Sequence, residues 1–188
     1  MEILKKLYFF FIDTMQTILL AASIFLIIYI FLFRPFQVSG ESMFPTFKNG
    51  EYILTNLITL RFASPVRGDV IVFKAPTDHE KDFIKRVMGV PGDSVALKEG
   101  FVYINGKKAD EHVYLGSDVR TYGGAFLQED TPVTVPEGQL LVMGDNRPFS
   151  SDSRDWGFLK KSEVIGKSIF VYWPLNKMRI VTNPFSGK

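Results

Sequence analysis

Residues 14–33 read TMQTILLAASIFLIIYIFLF, 20 positions without one charge. At 1.5 Å rise per residue such a run makes a helix of about 30 Å, the thickness of a bilayer core. Residues 7–12 are apolar as well, with Asp13 the single interruption. A cleaved secretory signal has an apolar stretch of only about 7–15 residues before a small-residue cleavage site. Here Ala21, Ala22 and Ser23 lie inside the run, and no small-x-small site follows Phe33. The expectation is a retained anchor with Asp13 at headgroup level. It divides the chain into a short segment 1–13, a transmembrane span 14–33 and a domain 34–188. Lys5 and Lys6 before the span outnumber Arg34 directly after it, which puts the N-terminus in the cytoplasm and the domain outside.

Beyond Phe33 no long stretch keeps a 3.6-residue apolar period. Short apolar runs alternate with turn signals, the pattern of a mainly β fold. The expected strands are 52–57, 69–73, 83–89, 94–98, 101–104, 139–144 and 164–173. Asn105-Gly106 predicts a tight hairpin, because a type I′ turn needs positive φ at both central residues. Pro91-Gly92-Asp93 and Pro136-Glu137-Gly138 mark two more turns. Residues 110–131 carry Gly116, Gly123 and Gly124 and little pattern, and read as an excursion from the core. The 188 residues therefore make one anchor and one β-rich domain of about 155 residues, large enough to bury its own core.

Composition excludes several functions. Lys and Arg total 22 against 20 Asp and Glu, a net charge of +2 that gives no basis for a nucleic-acid surface. With no cysteine there is no disulfide, thiolate metal site or cysteine nucleophile. The two histidines lack metal-ligand spacing and no cysteine can complete a ligand set, so no zinc site is expected. His79 lies in a charged stretch, 77–81, that reads as a solvated loop, and His112 sits between two expected strands. A Ser-His-Asp triad is assembled in space and spacing alone does not exclude it.

Three segments concentrate chemistry. Ser39-Gly40-Glu41-Ser42-Met43-Phe44-Pro45-Thr46 can hold a serine in a Gly- and Pro-framed loop, although most loop serines only form turns. In residues 83–93 strand alternation puts Phe83, Lys85 and Val87 on one face and Ile84, Arg86 and Met88 on the other. One of two adjacent cations must share its face with apolar residues, where a lysine either snorkels to water or is held neutral. Residues 144–157, GDNRPFSSDSRDWG, pack more hydrogen-bonding capacity than a plain turn needs.

These segments, in this order behind an anchor, resemble the bacterial type I signal peptidases, membrane-bound serine proteases that cut signal peptides from exported proteins. Ser42-Met43-x-Pro45-Thr46 resembles the nucleophile box, and Arg67-Gly68-Asp69-Val70-Ile71-Val72-Phe73 the strand box that follows. Lys85-Arg86-Val87-x-Gly89-x-Pro91-Gly92-Asp93 resembles the general-base box, and 144–154 the last box. The resemblance implies a β-rich domain without cofactor, acting on exported preproteins at the bilayer and cutting after small residues at P1 and P3. It makes Ser42 the nucleophile and Lys85 the general base. Ser150 would hydrogen-bond the lysine, Asp152 and Arg154 would brace the site, and Asp145 with Arg86 would form a second supporting pair. The backbone N–H of Ser42 would face the oxyanion. Some members carry a serine two residues before the nucleophile; here that position is Gly40, as in the Gram-positive-type members.

The physics of such a dyad is general. A serine hydroxyl needs a base as it attacks, and lysine is useless as one at its free pKa of about 10.4. Burial against Phe83 and Val87 would lower it by desolvating the charged form. Met43, Phe44 and Phe149 beside the site are expected to touch the bilayer. Two other readings compete: a Ser/Lys peptidase of the self-cleaving repressor type, opposed by the anchor, and a non-enzymatic anchored binding domain.

Overall fold

In the computed structural model helix α1 runs Glu2–Leu32. Residues 1–185 are described, so the last three positions of the expected domain lie outside the described residues. The helix starts well before the expected span, because residues 2–13 are helix formers with no Gly or Pro to stop it. Its 31 residues make about 46 Å, more than a bilayer core, so it reaches beyond the hydrocarbon or tilts. Phe9, Leu20, Phe25 and Leu26 are exposed, and no part of the 2–27 stretch is covered by the rest of the chain. So much uncovered apolar surface calls for lipid. Phe33 is extended and leads straight into strand β1, Phe33–Gln37, with no linker.

Eleven further strands follow among the described residues: β2 Tyr52–Asn56, β3 Val70–Ala75, β4 Asp78–Gly89, β5 Ser94–Lys98, β6 Phe101–Ile104, β7 Lys107–Lys108, β8 Val133–Thr134, β9 Gln139–Met143, β10 Leu159–Lys160, β11 Val164–Trp173 and β12 Arg179–Ile180. Two one-turn helices interrupt them, α2 Thr59–Phe62 and α3 Ser153–Trp156. The main sheet has the order β1-β2-β11-β3-β4-β9-β10, with β12 on β11, and the smaller one the order β7-β6-β5-β8. Every named strand pair is antiparallel. The fold is thus mainly β, as the turn-and-run pattern indicated.

Asn105 and Gly106 have φ of +51° and +76°, the turn that the sequence demanded between β6 and β7. Pro35 is tolerated in β1 because that strand is the sheet's edge, where a missing N–H costs no ladder bond. The stretch 77–81, expected as loop, belongs from Asp78 on to β4, forming an exposed ribbon paired with the end of β3, where Lys74 bridges Asp82 at 2.8 Å.

Three buried apolar clusters fix these layers. Ile71, Phe73, Val87, Leu140, Val142 and Leu159 pack on one face of the main sheet. Val38, Met43, Phe47, Ile53, Val70, Val72 and Val171 form the second. Met88, Leu141 and Met143 join the small sheet's Val95, Leu97, Val102 and Ile104 in the third. Strand β4 feeds all three layers, with Val87 in the first, partly buried Ile84 against the second and Met88 in the third. Lys85 and Arg86 therefore lie between cores.

Candidate active site

Strand β4 carries Lys85 into the interior, leaving 3% of the residue exposed. Its Nζ lies 2.8 Å from Ser42 Oγ and 3.1 Å from the carbonyl oxygen of Ile84, with the Phe83 ring centroid 5.0 Å away. Burial pushes the ammonium down from 10.5 to about 8, and the carboxylates of Asp152 and Asp145 hold it from falling further. That displacement corresponds to roughly 3 kcal/mol of lost charge stabilisation, and leaves roughly one amine in ten neutral at pH 7.

Ser42 sits in the turn between β1 and β2. Gly40 enters it at φ +88°, where a Cβ would be strained, and donates its N–H to Asn49 Oδ1 at 2.9 Å. Met43 pegs the turn into the second apolar cluster at 1% exposure. The expectation that Met43 meets the bilayer is therefore corrected: one residue past the nucleophile, the side chain points into the core and Phe44 takes the outward position, 46% exposed. The Ser42 carbonyl accepts the N–H of Asn146 at 3.0 Å, and the Asn146 amide reaches the Glu41 carbonyl at 3.0 Å. Among the described residues the N–H of Ser42 itself donates to no acceptor.

The loop after β9 closes the site. Strand β10 pairs only with the start of β9, so the later donors of that edge need other partners. Ser153 Oγ accepts from Val142 N–H and Asp152 Oδ2 from Gly144 N–H, each at 2.9 Å, so two side chains stand in for a strand. Asp152 also takes a fork from Arg154, whose Nε and Nη2 lie 2.8 and 2.9 Å from its oxygens. Asp145 receives Arg86 in the same manner at 2.8 and 2.7 Å, plus the Thr46 hydroxyl. Arg86, Asp145, Asp152 and Arg154 are all buried, so these are charge pairs held out of water.

Ser150 departs from what the resemblance implied. Its Oγ is buried without a hydrogen-bond partner among the described residues, while the lysine is engaged by Ser42 and the Ile84 carbonyl instead. Gly144 brings these groups together, because a Cβ there would run into both Ser150 Oγ and the Ser42 carbonyl. A cleft of about 340 Å³ opens in front of Ser42 and Lys85, walled by Phe36, Ile53, Val72, Phe83, Ile84 and Phe149. His79 and His112 line no part of it; they sit exposed beside Glu163 and Asp110. Among the described residues no group of three or more His, Asp or Glu side chains is placed to hold a metal ion.

Residues 11–173 match the family described as signal peptidase, peptidase S26. The chain belongs to that family. It is 36% identical over 190 aligned residues to signal peptidase IB of Staphylococcus aureus, covering 94% of this chain and 98% of the relative. It is 39% identical over 168 residues to signal peptidase I S of Bacillus subtilis, covering 87% and 90%. A solved structure of signal peptidase I from Enterococcus faecalis aligns with 56% of this chain and 97% of that one, at 32% identity and a TM-score of 0.46. The protein is accordingly a serine peptidase that removes signal peptides, and exported preproteins are its substrates. With the apolar helix α1, membership in this family marks a membrane-anchored protein.

Sequence reasoning missed Glu111 and Tyr114. Both reach the site loop or its arginines from the patternless excursion, and no spacing rule links them to partners more than 20 residues away.

Proposed function

We propose that Ser42 is the nucleophile and Lys85 the general base of this signal peptidase. The observation that carries the reading is the 2.8 Å approach of a buried, desolvated amine to a serine hydroxyl at the floor of a cleft. A protonated Nζ donates to Oγ; a neutral one accepts its proton. As that proton moves to Nζ, Oγ bonds the scissile carbonyl carbon and the carbonyl electrons pass to its oxygen. The unengaged N–H of Ser42 faces that oxyanion. Collapse breaks the C–N bond, and the leaving amine takes the proton back from Lys85. A water then gives a proton to Lys85 as its oxygen attacks the acyl ester; when the ester C–O bond breaks, Lys85 returns that proton to Oγ, releasing the signal peptide and restoring both residues.

The supporting residues act through geometry. Asp145 and Arg86 brace the strand beside Lys85, Asp152 and Arg154 brace the loop, and Ser150 fills the space behind Gly144. Strand β4 pairs with β9 only from Arg86 onward, so its edge at 82–85 is open toward the cleft. An extended peptide fits along that edge. Membership in the signal peptidase family supports Ala, Gly or Ser at P1 and P3. The anchor spans 14–33 with 1–13 inside, the domain faces outward, and exposed Phe44 and Phe149 rest at the lipid surface.

Cleavage of a preprotein in detergent tests the dyad. Ser42→Ala and Lys85→Arg should each fold and lose turnover by at least about 10³-fold, because guanidinium cannot accept the hydroxyl proton. Turnover by a folded Lys85→Arg enzyme within tenfold of wild type would overturn it. Protease added outside spheroplasts should digest the domain, and full protection would reverse the orientation.

A further inference from the structure

We propose that Glu111 and Tyr114 are positioning residues for the cleavage reaction: from one turn outside the catalytic strands they grip the two arginines, Arg147 and Arg86, that fix the ground between Ser42 and Lys85. The inference rests on the dyad reading and assigns a task to the excursion 110–131.

Arg147 is fully buried, and its guanidinium is held by Glu111 through both carboxylate oxygens and by the Thr121 hydroxyl. Both partners come from the excursion. With its fork held there, Arg147 points Nε at the Gly144 carbonyl, 3.0 Å away. Gly144 is the residue packed against the Ser42 carbonyl, and Asn146, just before Arg147, donates its N–H to that same carbonyl. Three contacts therefore join Glu111 to the nucleophile's backbone.

Tyr114 makes the second grip. Its hydroxyl donates to Glu111 Oε1 at 2.6 Å, and its ring lies 4.1 Å from the guanidinium carbon of Arg86. Arg86 is the chain neighbour of Lys85, and its N–H donors go to Asp145, the Gly68 carbonyl and, at 3.4 Å, the Thr46 hydroxyl. The ring covers one face of the Arg86 guanidinium, at right angles to what its in-plane donors can hold. A carboxylate and a ring from a single turn thus set both arginines, and they are tied to each other. A turn that only filled space would not need a buried ion pair, since apolar residues of similar volume do that at no electrostatic cost. Small displacements at a reacting pair are expensive, up to about 10²-fold in rate for 1 Å.

The test uses the full chain in detergent with a preprotein substrate, well below the unfolding midpoint, with folded protein quantified by near-ultraviolet circular dichroism. Glu111→Gln should lower kcat about tenfold with KM unchanged within about twofold, since the substrate cleft is untouched. Tyr114→Leu should do the same, and Tyr114→Phe, which keeps the ring over Arg86, should restore most of the loss. Where Glu111→Gln folds poorly because it strands a buried cation, the double variant Glu111→Gln with Arg147→Met removes that cation. Positioning predicts that the double variant regains the wild-type midpoint but keeps the low kcat. Recovery of wild-type kcat by the double variant, or a folded Tyr114→Leu with kcat within twofold of wild type, overturns the inference. Neither result bears on the dyad, which stands or falls on Ser42→Ala and Lys85→Arg.

Discussion

The small sheet β7-β6-β5-β8 buries Val95, Leu97, Val102 and Ile104 against Met88 and Leu141, whereas the loop beside β9 buries Asp145, Arg147, Asp152, Ser153 and Arg154. Both regions exclude water to a similar degree. The first gains from every apolar area it hides. The second must recover the desolvation of each ion through forks and carbonyl contacts, and at best comes out near even. What the ionic region obtains is direction: a guanidinium fork meets a carboxylate in one geometry, while a leucine tolerates many. The apolar layer supplies stability and the ionic loop supplies aim.

That contrast is open to attack, most strongly at Asp145. Asp145→Ala strands Arg86 and should cost about 3–5 kcal/mol of stability together with a large loss of kcat in the protein that remains folded. If thermal unfolding in detergent shows the loss while kcat stays intact, the ionic loop is scaffolding only. Next in size is Lys85→Met, which removes a desolvated amine of similar length. The folded-state value of about 8 lies below the ordinary 10.5, so the cost of burying the ammonium is borne in full below about pH 8. Between pH 8 and 10.5 the folded enzyme sheds the proton while the unfolded chain keeps it, and wild-type stability rises. The methionine variant should therefore be more stable by about 3 kcal/mol at pH 7, with the advantage fading toward pH 10.5. For the active enzyme the same value places the acidic limb of kcat/KM near pH 8; a limb near 10 would mean that Lys85 is solvated.

Ile104→Val should lose about 1 kcal/mol and leave kcat unchanged, since it thins the apolar layer without touching aim. A fall in kcat there would erase the distinction between the regions. Lys107→Ala, on the exposed short strand β7, should stay within about 0.5 kcal/mol of wild type in stability.

The apolar layer was legible from the sequence because its signals are local. The strands 94–98 and 101–104 follow from alternation, and the turn between β6 and β7 from Asn105-Gly106. Strand β11, at 164–173, is long enough to show its run. Four strands of two residues each, β7, β8, β10 and β12, are too short to carry a period, and the polar ribbon 78–82 is exposed on both faces. The aim of the ionic loop was legible only in part. Motif order pointed to Ser42, Lys85 and the Asp–Arg pairs, but Met43 turned inward because a loop has no alternation to read. Ser150 illustrates the remaining gap: a hydroxyl's partner depends on distances of a few tenths of an ångström, which residue order does not encode.

The junction at Phe33 has a further consequence. Because the helix passes into β1 without a spacer, and β1 is laddered to β2 along its whole length, the catalytic domain has no leash. The five residues of β1 span about 17 Å as a stiff strut, and Ser42 follows five residues after its end. With α1 in a bilayer as proposed, such a junction would act as a depth gauge, presenting the cleft to peptide bonds at one height above the lipid. A flexible insert of ten Gly and Ser residues at this junction would add about 17 Å of wandering, as much as the strut itself, and blur the gauge into a search through a volume.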